Sequence, residues 1–269
     1  MEPKRIISSL IGFPIVALIL VFGNKYVVDV TMCIIAMIAL YEYFNAFKDQ
    51  QQNKNLRWIA YASSLLIAFI HIIPKEYLYN TIIAIIPISV FILFAQIIMT
   101  DMKYNIKDIS ITLFGLCYVV MFLIFISLLR GTENGRITIW YIFIAAWGTD
   151  ISAYIVGRTI GKHKFSKISP NKSIEGCFGG VIGAVILTLI YTFICNNYLG
   201  MNFNYIQLTA IGMVLSLIGQ LGDFAASSIK RYAGIKDFSN LIPGHGGMLD
   251  RIDSILFVAP FAYFLLTII

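Results

Sequence analysis

The chain alternates between long apolar stretches and short polar segments. A helix that crosses the hydrocarbon core of a bilayer needs about 20 mainly apolar residues, and many of these stretches approach that length. The pattern predicts nine membrane spans, at residues 6–22, 26–47, 57–73, 81–99, 111–129, 138–156, 177–195, 206–222 and 254–269. The first span is interpreted as an anchor rather than a signal peptide, because it lacks a small-x-small cleavage motif and eight more spans follow it.

Composition agrees with a membrane location. Of the 269 residues, 59% are hydrophobic and 13% are charged, whereas a soluble domain carries about 25% charged residues. One water-soluble core could not bury so much apolar surface. We therefore predict an all-α integral membrane protein, a polytopic bundle of about nine transmembrane helices. No polar stretch is long enough for a soluble domain, so the bundle itself must carry any chemistry.

Positive charge is concentrated on one side of the predicted bundle. All but four of the 20 lysines and arginines fall on the side that includes the N-terminus. The exceptions are Lys25, Lys75, Arg130 and Arg136. Because cytoplasmic loops carry such an excess, the N-terminus and the two longest polar loops, residues 157–176 and 223–253, are predicted to face the cytoplasm. This distribution explains the net charge of +6 without a nucleic-acid partner.

An aspartate near the end of the sixth span is the first candidate for chemistry. A charge inside a span costs about 2.5–3.5 kcal/mol near its centre, which makes such residues functional candidates. Asp150 has Tyr154 one helical turn later on the same face, and Gly157 and Gly161 permit close approach of another helix. The alternative is that Asp150 lies at the membrane interface or pairs with a neighbouring lysine.

The segment after that span is basic and ends in Ser-Pro-Asn-Lys-Ser, residues 169–173. Its lysines are Lys162, Lys164, Lys167 and Lys172. Lysines bind phosphates, but anchoring on the positive side of the membrane explains them equally well when the segment is considered alone.

A further set of acidic residues lies between residues 223 and 253. Asp223 follows the eighth span and is a weak signal by itself. Asp250 and Asp253 are three residues apart, so on a helix their Cβ atoms lie about 5–6 Å from each other. That separation suits two oxygen ligands of a hard cation such as Mg²⁺. Arg251 is predicted to project from another face.

A glycine-rich turn, Pro-Gly-His-Gly-Gly at residues 243–247, precedes these two aspartates. Glycines reach backbone conformations closed to other residues and can bring N–H groups close to an anion. Lys230, Arg231 and Lys236 add positive charge to the same stretch. Carboxylates for a metal, cations for phosphates and flexible glycines together indicate phosphoryl or nucleotidyl transfer at the membrane surface. No Ser/His/Asp or Cys/His arrangement for acyl chemistry is evident.

These residues resemble the signature of phosphatidate cytidylyltransferases, also called CDP-diacylglycerol synthases. The matching positions are Ser227, Ser228, Ile229, Lys230, Arg231, Lys236, Asp237, Ser239, Ile242, Pro243, His245, Gly246, Gly247, Met248, Asp250, Arg251, Ile252 and Asp253. Residues 147–176 also resemble the family, through Asp-x-x-Ala-Tyr and Ser-Pro-x-Lys-x-x-Glu-Gly. Ser173 stands where threonine is expected as often. Residues 1–140 match only as hydrophobic spans.

The resemblance implies an enzyme that converts CTP and phosphatidate to CDP-diacylglycerol and pyrophosphate with Mg²⁺; a second cation such as K⁺ is left open. It also implies a polytopic homodimer in the plasma membrane of a bacterium. Residues 1–140 would then form a scaffold with candidate dimer contacts. Residues 141–269 would form the catalytic region.

The resemblance further implies roles for individual residues. Asp223, Asp250 and Asp253 would be the metal carboxylates, and Lys230 would contact a phosphate; these four are the predicted catalytic residues. We hypothesise a wider set for substrate binding, consisting of Lys172, Ser173, Lys230, Arg231, His245, Arg251 and Asp150. His245 would bond to a phosphate or order its loop, and Asp150 would join the metal site or orient a lysine.

Two other functions are open. A CTP-dependent lipid kinase needs the same carboxylates, metal and basic loops. A transporter of an anionic solute would spread its charges along a path through the bilayer, whereas here they are concentrated at one face. The transferase hypothesis also agrees with the location of its substrates, because phosphatidate presents its phosphate at the membrane surface and CTP is confined to the cytosol.

Overall fold

The computed structural model describes residues 14–50, 54–166, 169, 172–242, 244 and 246–268. Within these ranges the chain forms nine helices and no extended strand; two isolated bridges join Lys164 to Ser173 and Ile242 to Gly246. The helices are α1 (residues 14–22), α2 (Lys25–Ala46), α3 (Trp58–Phe69), α4 (Lys75–Met99), α5 (Ile106–Arg130), α6 (Gly135–Ile160), α7 (Ile174–Tyr198), α8 (Tyr205–Tyr232) and α9 (Leu249–Leu266). The all-α prediction is confirmed.

The nine helices follow the nine predicted spans in order. Six of them, α2 and α4 to α8, are long and apolar enough to cross a membrane, which agrees with a multi-pass membrane protein. Within the described ranges α1, α3 and α9 are shorter, and three of the first five residues of α9 are charged. The side of the membrane on which the N-terminus lies stays a prediction.

The largest difference from the predicted boundaries is at α8. The apolar pattern ends at residue 222, but the helix continues to Tyr232, so Asp223, Lys230 and Arg231 lie on a helix rather than in a loop. Its last turns contain Ala225 and Ala226, and alanine, lysine and arginine are strong helix formers. The helix ends just before Gly234, whose φ of +73° belongs to the left-handed region that commonly terminates helices.

Side-chain caps define several helix starts. The Asn24 side chain accepts a hydrogen bond from the Val27 amide at the start of α2. Asn105 and Asp108 form a reciprocal capping box at the start of α5. Ser173 accepts from the Gly176 amide and so begins α7. Each cap satisfies an N–H group that has no partner within its own helix.

The chain divides into two compact units. Unit 1 comprises the described residues of Met1–Gly131 and Ala233–Arg251, and unit 2 those of Thr132–Tyr232 and Ile252–Ile269. In unit 1, Tyr43 and Phe44 are fully buried, and a Cβ on Gly115 would approach Tyr43 Cε1 to 2.6 Å. The predicted division into a scaffold, residues 1–140, and a catalytic region, residues 141–269, stays a prediction, because packing units report contacts rather than functions.

In unit 2, helices α6 and α7 approach closely through small residues. A Cβ on Gly176 would lie 3.2 Å from Gly157 Cα and 2.9 Å from the Ala153 carbonyl oxygen. The predicted role of Gly157 in close helix packing is therefore confirmed. The contact brings the C-terminal end of α6 beside the N-terminal end of α7, where the basic segment connects them.

Candidate active site

Three aspartates from three helices of unit 2 interact electrostatically, and we call them the acidic cluster: Asp150 on α6, Asp223 on α8 and Asp253 on α9. Asp253 is only 8% exposed. Burial raises the pKa of its carboxyl, and the Asp223 and Asp150 carboxylates raise it further, whereas Lys230 lowers it. The Ser254 amide donates a 2.8 Å hydrogen bond to Asp253 Oδ1. The structure thus places carboxylates from two other helices near the buried Asp253 carboxyl.

The helices of the cluster are held by small and hydroxyl side chains. Thr149, one residue before Asp150, shares a 2.6 Å hydrogen bond with Ser216 on α8, and both residues are buried. A Cβ on Gly222 would lie 2.8 Å from the Asp253 carbonyl oxygen. Any side chain at position 222 would therefore separate α8 from α9 beside the acidic cluster.

A lysine from the basic segment reaches this cluster. Lys172 forms an ion pair with Asp223, and each side chain is 23% exposed. The Lys172 Nζ atom also lies 4.8 Å from the centre of the Phe224 ring, which stacks on Phe165 at 4.6 Å between ring centres. A cation over an aromatic face is stabilised by the ring quadrupole. At least Lys172 therefore does more than anchor the segment.

The backbone of the basic segment is closed by its own hydrogen bonds. The Phe165 amide donates to the Lys172 carbonyl at 3.0 Å, and the Ile174 amide donates to the His163 carbonyl at 2.9 Å. The Glu175 carboxylate accepts from the amides of Lys162 and His163 and contacts the His163 ring at 2.6 Å. Ser173, predicted to bind substrate, caps α7 in this structure.

The glycine-rich segment belongs to unit 1, where Asp250 organises it. Asp250 Oδ2 accepts hydrogen bonds from the amides of Phe238 and Gly247, both at 2.9 Å. Gly246 has a φ of +82°, and a Cβ there would lie 2.9 Å from Asp250 Oδ2. The predicted metal ligand Asp250 therefore holds backbone amides in this structure.

Among the cationic residues predicted from the sequence, Lys230 and Arg231 occupy the last turn of α8, and Arg231 is exposed. Arg251 lies in the first turn of α9 and is exposed, as predicted for a residue on another face than its two aspartate neighbours. His245 lies outside the described residues, so its predicted role stays a prediction.

Sequence reasoning missed Glu42. This glutamate lies near the end of α2, is buried, and contacts the glycine-rich segment of unit 1. The signal was present, because a carboxylate inside the apolar span 26–47 is expensive unless it has partners. No motif surrounds it, since residues 1–140 resemble the family only through their hydrophobicity.

The fit of Mg²⁺, which the resemblance implies, can be examined at the acidic cluster. Carboxylate oxygens are the donors that this hard cation prefers, and a cation would offset the crowded negative charge around Asp253. Among the described residues, however, no three His, Cys, Asp or Glu side chains are arranged to hold a metal ion. The donor chemistry fits, but coordination by three carboxylates would require side chains to move, with Asp223 leaving Lys172.

Comparison with known proteins identifies the family of this chain. A model of the cytidylyltransferase family matches residues 3–269. The phosphatidate cytidylyltransferase of Bacillus subtilis (strain 168) is 31% identical over 274 residues, which cover 98% of this chain and 97% of that protein. Phosphatidate cytidylyltransferases of Staphylococcus haemolyticus (strain JCSC1435) and Staphylococcus aureus (strain COL) are 38% and 37% identical over 177 residues, 65% of this chain and 66% of each relative. Because the family match spans almost every residue and the signature at 227–253 lies within it, the chain belongs to the cytidylyltransferase family.

Proposed function

We propose that this protein transfers the cytidylyl group of CTP to phosphatidate, which gives CDP-diacylglycerol and pyrophosphate for phospholipid synthesis. The observation that carries the proposal is the acidic cluster with Lys172 and Lys230 beside it, in a helical bundle of membrane-spanning length. Carboxylates suit a cation and lysines suit phosphates, and the reaction needs both. The names of the relatives, one matched over nearly its whole length and the other over part of it, support the same substrates.

The proposed reaction is a displacement at phosphorus. An oxygen of the lipid phosphate attacks the α-phosphorus of CTP, a new P–O bond forms, and the bond between the α-phosphorus and the bridging oxygen breaks. The electron pair of that bond leaves with pyrophosphate. Because the attacking oxygen is already ionised, no strong general base is needed. Positioning and electrostatic stabilisation therefore supply most of the rate.

We assign the cations to the phosphates. In the structure Lys172 is paired with Asp223, and an arriving phosphate would compete with Asp223 for the ammonium group. Lys230 and Arg231 would bind further phosphate oxygens, with Ser173, Arg251 and His245 as additional contacts. In this proposal the Lys172–Asp223 ion pair is the resting state of the site, and substrate binding exchanges the partners.

We assign the carboxylates to Mg²⁺. Asp223 and Asp253 would be ligands. The remaining candidates are Asp250, which lies in the signature with Asp253, and Asp150 from the acidic cluster. When bound, the ion supplies positive charge that offsets the repulsion between the lipid phosphate and the triphosphate. A second cation such as K⁺ is compatible with the same carboxylates.

The cellular setting is part of the proposal. The bias of lysines and arginines supports a cytoplasmic site, and the bacterial relatives support a plasma membrane. A homodimer follows from the family resemblance alone. Crosslinking in membranes would test the homodimer. Protease accessibility of residues 233–248 in oriented vesicles would test the cytoplasmic location of the site.

Labelled CTP tests the reaction itself. Purified protein in phosphatidate-containing micelles should place label from the α-phosphate in the lipid product, and chelation of Mg²⁺ should abolish the transfer. Label from the γ-phosphate in the lipid would instead establish a lipid kinase. Solute uptake into proteoliposomes without CTP consumption would establish a transporter.

A further inference from the structure

The inference concerns Glu42, a residue to which the family signature assigns no role. It lies on α2 in a mainly apolar stretch, and its exposed fraction is 1%. A buried carboxylate is strongly unfavourable unless hydrogen bonds or opposite charges compensate for the lost water. The partners of Glu42 therefore indicate why an apolar helix carries it.

Glu42 accepts three hydrogen bonds from one segment of unit 1. Its Oε1 atom accepts from Ser239 Oγ at 2.6 Å and from the Met248 amide at 2.9 Å. Its Oε2 atom accepts from the Leu249 amide at 2.7 Å. Bonds to an ionised acceptor are about twice as strong as those between neutral groups. All three donors lie about 200 residues from Glu42 in the sequence, so these bonds belong to the tertiary structure.

The donors occupy the two ends of the segment that we call the glycine loop, which consists of the described residues 238–242, 244 and 246–249. Ser239 lies at its beginning, and Met248 and Leu249 lie at its end, where α9 starts. The amides at a helix start have no partners within the helix, and a negative charge there also interacts favourably with the helix dipole. Glu42 thus caps α9 with a side chain from another helix.

Glu42 and Asp250 hold the glycine loop from two sides. Asp250 Oδ2 accepts from Phe238 and Gly247, which closes the loop internally. At Gly247 a Cβ would lie 2.6 Å from both Glu42 carboxylate oxygens. Glycine at this position therefore leaves room for the Glu42 carboxylate.

We propose that Glu42 is a positioning residue for cytidylyl transfer, which fixes the glycine loop in the conformation that receives the phosphates of CTP. The inference rests on the proposed function. It gives residues 1–140 a part in the reaction through one carboxylate, in addition to their predicted role as a scaffold. Glu42 itself acts through the loop and does not touch the substrate.

Glu42→Gln tests the proposal with the smallest change in shape. The amide group would put an N–H donor against the Leu249 or Met248 amide. We expect hydrogen–deuterium exchange at these two amides to accelerate at least tenfold. We expect the KM for CTP to rise at least fivefold, while the KM for phosphatidate changes less than twofold.

Asp29→Asn is the matched control, because Asp29 is a fully buried carboxylate on the same helix that pairs with His71 Nδ1 at 2.6 Å. This variant should lower the thermal midpoint in detergent to a comparable extent and leave the KM for CTP unchanged. An equal effect of both variants on the KM for CTP would overturn the positioning role, because it would show a general loss of stability.

Ser239→Ala is the second test of the proposal, for use if Glu42→Gln fails to fold. It removes one of the three donors and keeps the Glu42 charge, so we expect a smaller rise in the KM for CTP, about twofold to fivefold. An unchanged KM for CTP together with unchanged exchange at Met248 and Leu249 would refute the proposal. Wild-type protein that transfers no α-phosphate label would refute the proposed function instead, and the exchange measurement would still report whether Glu42 holds the loop.

Discussion

The acidic cluster of unit 2 and the glycine loop of unit 1 both contain buried carboxylates, but they use them differently. In the loop, Glu42 and Asp250 accept hydrogen bonds from backbone amides and a hydroxyl. In the cluster, Asp253 is surrounded by other carboxylates as well as by a lysine. The first arrangement is stable by itself, whereas the second gains from an added cation. Carboxylates that serve structure and carboxylates that serve ligands can thus be distinguished by their partners.

The largest expected effect comes from Asp253→Asn. Turnover should fall at least 1,000-fold, because a proposed cation ligand is lost. The thermal midpoint should stay the same or rise, since the change replaces a buried ionisable group whose charged form is disfavoured by burial and by Asp150 and Asp223. The labelled-CTP assay and thermal unfolding in detergent measure the two effects. Glu76→Gln, an exposed acid at the start of α4, is the control; near-normal turnover of Asp253→Asn would remove the cluster from the mechanism.

Asp250→Asn should separate the two regions. We expect turnover to fall about 100-fold or more, together with a loss of stability that Asp253→Asn does not show. The amide side chain retains one acceptor but loses the charge, and hydrogen bonds to charged groups contribute about 1.5–3 kcal/mol. Thermal unfolding and exchange at the Phe238 and Gly247 amides measure this. A variant that loses turnover with no change in stability or exchange would show that Asp250 acts as a ligand rather than as a loop anchor.

Lys172→Ala tests whether the Lys172–Asp223 ion pair is a resting state. The KM values for both phosphate-bearing substrates should rise about tenfold, because a phosphate contact is lost. The Mg²⁺ concentration for half-maximal activity should fall, because Asp223 no longer has a competing cation. Lys75→Ala, at an exposed position on α4, is the control. A higher Mg²⁺ requirement in Lys172→Ala would contradict the competition between lysine and metal.

Gly222→Ala should have a smaller effect than these three variants. The added methyl group would press against the Asp253 carbonyl oxygen at 2.8 Å and Phe257 Cβ at 2.9 Å, and overpacking of this kind costs about 1–3 kcal/mol. We expect a several-fold loss of turnover through displacement of Asp253. At Gly219, by comparison, the nearest atom would be Val258 Cγ2 at 3.2 Å, so Gly219→Ala should be milder. The reverse order of the two variants would show that the α8–α9 spacing at Asp253 is not critical.

Much of the fold could be predicted because membrane spans have a strong local signal. Apolar length alone located all nine helices in order within the described residues. It misplaced the end of α8, because the polar residues after 222 continue the helix beyond the apolar part of the sequence. Hydropathy reports where a helix is apolar, while backbone hydrogen bonding decides where it ends.

The candidate site was predicted in part, because its residue types can be identified from the sequence but their partners cannot. Asp253 belongs to the signature and Asp223 was assigned from the family resemblance. The structure joins both electrostatically with Asp150, which had been given two alternative roles. The pairing of Lys172 with Asp223 and the hydrogen bonds of Glu42 join residues far apart in the chain. No local pattern encodes such contacts. The cost of burying each charge indicates that it has partners, but the sequence does not identify them.

The sequence by itself determined the helical class, the number and order of the helices and the chemical types available at the site. These properties depend on apolar length and residue type, which act locally. Only the tertiary structure decided which carboxylate has which partner: Asp250 with backbone amides, Asp223 with a lysine, Asp253 among like charges. The physical reason is that the state of a buried charge depends on the donors and charges within a few ångströms, and packing alone brings those together.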